Sequence, residues 1–119
     1  MPEIKLGVIE SRFADIIWNN EPLPSGQLAK LAEAELHWKK TTTYTMLKRL
    51  CDRGIFQNQN GTVSSLIKKD EFFALQSEKF VNETFDGSLP AFLAAFGSRK
   101  KLTEAEITEL KQLIDGMKE

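Results

Sequence analysis

The sequence predicts a mainly α-helical chain with one small β-hairpin: three helices and the hairpin first, then more helices. Three observations carry this. Apolar residues recur at offsets of three and four in several separate stretches, which is the period of a helix with one buried face. A single Asn60-Gly61 pair lies between two short extended runs, and that pair favours the positive φ angles of a type I′ hairpin turn. Pro22, Pro24 and Gly54 punctuate the chain where one element must give way to the next.

Residues 6–19 place Leu6, Ile9, Phe13, Ile16 and Ile17 on one stripe, with Trp18 extending its apolar end. Asn19-Asn20-Glu21-Pro22 ends this helix, and Leu23-Pro24 is a short extended connector because Pro24 biases Leu23 away from helix. Ser25 is the expected N-cap of a second helix to about Leu36, with Leu28, Leu31, Ala32 and Leu36 facing inward. The link His37-Trp38-Lys39-Lys40 leads to a third, which Thr41 or a neighbour can cap.

That third helix divides into two arcs at about 100° per residue. Thr43, Met46, Leu47, Leu50 and Cys51 form one. Thr41, Thr42, Tyr44, Thr45, Lys48, Arg49 and Asp52 form the other, and Asp52 is its single acid. A solvated helix face carries Glu–Lys pairs four apart; this one offers hydroxyls, a phenol and cations. Gly54 supplies the left-handed residue that closes the helix.

Residues 55–59 and 62–67 are the hairpin strands, and an isolated hairpin must pack on the helices to persist. Two helices joined by a tight turn, then a hairpin, read as a winged helix-turn-helix over residues 1–69. The wing tip, Gln59-Asn60-Gly61-Thr62, is polar and uncharged, with a weak backbone contact as its expected limit.

Residues 70–119 read as a helical dimerisation region. One helix spans 69–85, a short one covers Leu89 to Phe96, and Gly97 to Lys101 forms a polar loop. Thr103 and Glu106 make a capping box for the last helix. Phe80, Phe85, Leu89, Phe92, Leu93, Phe96, Ile107, Leu110, Leu113 and Ile114 are too many apolar residues for short helices to bury alone. A second copy of the chain is the expected cover, since symmetric dimers are the commonest oligomers.

The charge distribution points the same way as the third helix. The 119 residues carry a net charge of −1, yet from Trp38 to Lys69 seven cations face one acid, a local +6. Residues 1–37 carry −3 and residues 70–119 carry −4. A basic middle between acidic flanks is the pattern of a local anion-binding surface. Lys39 and Lys40, just before the third helix, are placed to neutralise phosphate.

Several function classes are disfavoured. One cysteine, Cys51, allows no intrachain disulfide, and with His37 as the single histidine there is no usual four-ligand zinc set. No nucleophile–base constellation or glycine-rich phosphate loop is present, so no enzyme, metal or cofactor is expected. No apolar run approaches the roughly 18–20 residues of a membrane span, and the N-terminus does not read as a signal peptide, so the expectation is cytoplasmic.

The pieces LGVIESRFADIIW, HWKKTTTYTMLKRLCDRGIF and FLAAFGSRKKLTEAEITELKQLI resemble the penicillinase-repressor family, which includes the β-lactamase, methicillin-resistance and copper-transport repressors of bacteria. The resemblance covers essentially the whole chain. It implies a homodimer bound to a double-stranded, pseudo-palindromic operator, with DNA contacts from Thr41, Thr42, Tyr44, Thr45, Lys48 and Arg49. It also implies release by an inducing signal, with a sensor protease as a partner. The matching cleavage bond is Ala95–Phe96, with Ala95 standing where the family has Asn. The cysteine cluster of copper-responsive members has no counterpart after Cys51. The alternative is a winged-helix module that binds protein rather than specific DNA.

Overall fold

Trp18 shows how the first helix organises what surrounds it. Its indole Nε1–H donates to the Ile67 carbonyl at 3.1 Å, and its ring lies 5.3 Å from Phe56 and 5.4 Å from Phe72. One side chain thus ties a helix to the hairpin and to the helix after it. A computed structural model describes residues 4–118. Its helices are α1 (Val8–Asn20), α2 (Ser25–Leu36), α3 (Lys40–Asp52), α4 (Lys69–Phe85), α5 (Leu89–Arg99) and α6 (Glu104–Gly116). Its strands are β1 (Leu23–Pro24), β2 (Phe56–Gln59) and β3 (Thr62–Ser65).

The hairpin forms as its turn residues require. Asn60 and Gly61 sit at φ 53° and 88°, both in the left-handed region, and Gln59 pairs with Thr62. The extended connector Leu23-Pro24 is more than a linker. It pairs antiparallel with β3, Leu23 against Val63, so the sheet has the order β1-β3-β2. The Gly61 carbonyl then accepts from the Ser25 amide at 2.8 Å. Ser25 is therefore the first residue of α2 and Pro24 occupies the cap, because the wing turn already satisfies the amide there.

α1, α2 and α3 pack with the sheet around Phe13, Ile17, Leu28, Leu50, Ile55, Phe56 and Val63, all fully buried. Trp38 packs against Phe13 with ring centroids 5.1 Å apart and the rings tilted by 41°. Ile9 departs from the expected stripe: it is exposed, as is Val8, because the first turn of α1 extends beyond the core. Between α2 and α3, His37 takes a left-handed conformation at φ 58°, and its amide reaches back to the Glu33 carbonyl at 3.1 Å. Gly54 closes α3 at φ 81°. This is a winged helix-turn-helix.

The described chain falls into two compact units, one up to Ser77 and one from Glu78. Phe72, at the start of α4, is buried in the core of the first unit. In the second, Phe80, Phe85 and Phe92 meet edge to face at 5.7–6.1 Å. α5 runs on to Arg99, past the glycine expected to end it, and Ser98 Oγ donates to the Ala95 carbonyl at 2.7 Å. Thr103 and Glu106 form the reciprocal capping box at 2.9 and 3.1 Å.

Thr43 stands apart in the core. It is completely buried in α3, and its Oγ1 has no hydrogen-bond partner among the described residues. An unmet buried hydroxyl costs on the order of 1–3 kcal/mol, which an isosteric apolar group avoids. Thr43→Val is expected to raise the unfolding free energy by about 1 kcal/mol in urea titrations; a loss of stability would mean that the hydroxyl is satisfied.

Candidate nucleic-acid interface

α3 is held by a fully buried stripe, Thr43, Leu47 and Leu50, flanked by the half-buried Tyr44, Met46 and Cys51, and its remaining face is open. Thr41, Thr42, Thr45, Lys48 and Arg49 are all exposed on it. At helical spacing Thr41, Thr45 and Lys48 fall in one row, with Thr42 and Arg49 on one flank and Tyr44 on the other. Tyr44 is half-buried with its ring against the core, and the Lys40 ammonium lies over that ring, 5.8 Å from the centroid. Lys39 takes the cap position in an extended conformation. No side chain caps α3, so the amides of its first turn have no side-chain acceptor at the N-terminus of the helix. The eight residues expected to contact DNA thus lie on and just before one helix.

The cations of the basic middle divide into two groups. Arg53 Nη1 lies 3.1 Å from Glu10 Oε2, with both side chains about one-fifth exposed. Lys68 Nζ lies 3.4 Å from Glu21 Oε1, and Lys69 Nζ lies 2.9 Å from Asp15 Oδ1. These three cations tie the end of α3 and the start of α4 to α1 and the turn after it. Lys39, Lys40, Lys48 and Arg49 remain on the α3 side. Lys48 reaches Asp52 at 3.4 Å in a pair so exposed that water screens most of its attraction.

Two carboxylates anchor this frame. Glu10 Oε1 accepts from the Gly7 amide at 2.9 Å; that bond lowers the Glu10 pKa below 4.5, burial opposes it, and Arg53 lowers it further. Glu21 accepts from the Ser65 amide at 2.8 Å and from the Ser65 hydroxyl at 2.7 Å. Burial raises the Glu21 pKa, but the two Ser65 donors and Lys68 together outweigh it, so this group too titrates below 4.5.

One strand residue outside the expected set lies beside α3. Asn58 on β2 joins Tyr44, Leu47, Lys48 and Cys51 around a recess of about 350 Å³ beside α3. Asn58 Oδ1 accepts from the Gly61 amide at 3.0 Å. The Asn-x-x-Gly spacing is a sequence signal for that turn bond, but its place beside α3 depends on the fold.

Among the described residues, no group of three or more His, Cys, Asp and Glu side chains is placed to hold a metal ion. No helix among the described residues is long and apolar enough to cross a membrane. The model of the penicillinase repressor family matches residues 6–116. The chain belongs to the penicillinase repressor family. Its members are DNA-binding transcriptional regulators and not enzymes. The chain is 25% identical to a penicillinase repressor of Bacillus licheniformis over 110 residues, covering 89% of this chain and 86% of that one. The match runs through both units, and membership of the family supports a transcriptional-repressor role for this chain.

The two carboxylates make the frame acid-sensitive. A depressed folded pKa contributes stability that is present above the unfolded value, near 4.5, and is lost as pH falls through the folded value. Stability is therefore expected to hold from pH 7 to about 5 and then to fall. Glu21→Gln should lower stability at pH 7 by about 1 kcal/mol and flatten the fall below pH 4.5. Urea midpoints across pH 3–7 check this; an unchanged acid slope in the variant would remove Glu21 from the account.

Proposed function

We propose that this protein is a dimeric repressor that lays α3 of each copy into one half-site of a pseudo-palindromic operator. The observation that carries this is the sorting of charge: acids of α1 and its following turn engage Arg53, Lys68 and Lys69, while Lys39, Lys40, Lys48 and Arg49 stay on the α3 side. In this reading Thr41, Thr42, Tyr44 and Thr45 face base edges, where a threonine hydroxyl can donate or accept and its methyl can meet thymine. Lys39, Lys40, Lys48 and Arg49 grip phosphates and set the register.

The second unit supports the dimer. None of the described residues from Glu78 on is buried, and Phe80, Leu89, Leu93, Phe96, Ile107, Leu113 and Ile114 are all exposed in the single chain. Phe85, Phe92 and Leu110 are half-buried among them. The side chains of Phe92, Leu93, Phe96, Leu102, Leu110 and Leu113 line an open groove of about 300 Å³, with Glu106 and Glu109 on it. In our reading a second copy covers these side chains.

Release in this reading follows an inducing signal, through a cut at Ala95–Phe96 by a sensor protease. Both residues lie inside α5, so that helix has to open before the bond can enter a protease cleft.

Four phosphate-gripping cations per chain make eight per dimer, so log Kobs against log salt is expected to have a slope of about −7, and about half that for a single copy. Arg49→Ala should weaken binding to all duplexes alike and reduce the slope by about two, whereas Thr42→Val should alter sequence preference with little change in slope. A gel-shift titration checks this; no salt-dependent shift with any duplex would favour the protein-binding module instead. By sedimentation equilibrium at micromolar concentration the chain should run at twice its 13.5 kDa mass, and Leu93→Asp with Leu113→Asp should run as a monomer. A monomeric wild type would sink the dimer reading.

A further inference from the structure

The recess beside α3 is built from hydrogen-bond donors above an apolar wall. Leu47 is buried and Cys51 half-buried, while Tyr44, Lys48 and Asn58 bring a phenol, an ammonium and a carboxamide to it. The carboxamide is oriented by the wing turn: with Oδ1 taken by the Gly61 amide, the remaining polar group of Asn58 is its Nδ2, which has no acceptor among the described residues. The Tyr44 hydroxyl has none either. Lys48 is shared only with Asp52, in an exposed pair that a second anion can displace at small cost. Burial, then Asp52, push the Cys51 thiol up, so it stays protonated at neutral pH and puts no thiolate in the recess.

We propose that this recess is a binding site for one DNA backbone phosphate, held by Lys48 from the helix and Asn58 from the wing strand, and that Asn58 is a phosphate-binding residue of the repressor. This rests on the DNA-binding reading above. The site clamps the backbone between two elements that the fold holds in fixed register, because the Asn58 amide is tied to the same turn whose Gly61 carbonyl accepts from Ser25 of α2. A phosphate seated there fixes how deeply α3 sits in its groove without reading sequence.

Asn58→Asp is the discriminating variant, since it keeps an oxygen for the Gly61 amide while replacing the donor by a carboxylate. The probes are a duplex recovered from a random-sequence pool by retention on the wild-type protein, and the unselected pool. The variant should unfold at the wild-type temperature and bind both probes about ten-fold more weakly, the scale of one charge-assisted contact. Ethylation interference on the recovered duplex should lose one backbone position per half-site, and Lys48→Met should lose the same position. Wild-type affinity in Asn58→Asp, or loss of different phosphates in the two variants, would overturn the site while leaving the repressor reading intact. Failure of the wild-type protein to bind either probe in a salt-dependent way would remove both.

Discussion

The narrowness of the stripe that holds α3 is the constraint on which the rest of this structure depends. A helix that presents a wide surface to DNA cannot also bury a wide surface in its own domain. α3 resolves this by fully burying three side chains, Thr43, Leu47 and Leu50, packing Tyr44, Met46 and Cys51 half-buried beside them, and leaving the opposite face to solvent. So thin an attachment needs reinforcement at both ends. His37 provides it at the start, turning the chain sharply out of α2. Arg53 provides it at the finish, where the guanidinium reaches Glu10 at 3.1 Å and the Lys5 carbonyl at 3.3 Å. Half-buried charged pairs contribute modestly to stability, because desolvation offsets much of their attraction. Here the pair's geometric effect is the larger one: it fixes the end of a helix whose position decides what it can touch.

The same economy governs charge. A run of seven cations in about thirty residues invites a single reading, that all of them meet phosphate. Three do structural work instead, and the acids they meet, Glu10, Asp15 and Glu21, come from α1 and the turn after it and are half of the six acids in residues 1–37. The near-neutral total therefore does not argue against a polyanion partner. Internal pairing takes up Glu10, Asp15 and Glu21 together with cations away from α3, and leaves Lys39, Lys40, Lys48 and Arg49 on the α3 side.

Most of the fold was legible because its signals are local. The Asn60-Gly61 turn, the Gly54 stop, the Thr103–Glu106 box and the helical periods each lie within a few residues, and each reappears as read. What was not legible depends on partners far along the chain. β1 becomes a strand because β3 arrives beside it some forty residues later. Ser25 loses its capping place because Gly61 supplies an acceptor. Ile9 fits the helical period but lies beyond the reach of the core. Asn58, an uncharged residue in a strand, carries no signal until the fold sets it beside Tyr44 and Lys48. Arg53, Lys68 and Lys69 count toward the basic middle of the sequence, and only the fold shows them paired with Glu10, Glu21 and Asp15.

Where stability is concentrated bears on how such a protein could be switched. The first unit holds every buried hydrophobic side chain among the described residues, and its core joins three helices and a sheet. The second is held by aromatic edges, a capping box and side chains that remain at least partly exposed. Segments with few buried contacts open locally at low free energy, far below the cost of unfolding a core. α5 is such a segment in the single chain, and its continuation to Arg99 keeps Ala95 and Phe96 in helical form until it opens. If a second copy covers these helices, assembly and protection become one event: the apolar side chains that hold the two copies together are those whose burial keeps α5 closed. A signal acting on α5 would then reach the operator without touching α3, because losing the partner removes half of the phosphate contacts at once.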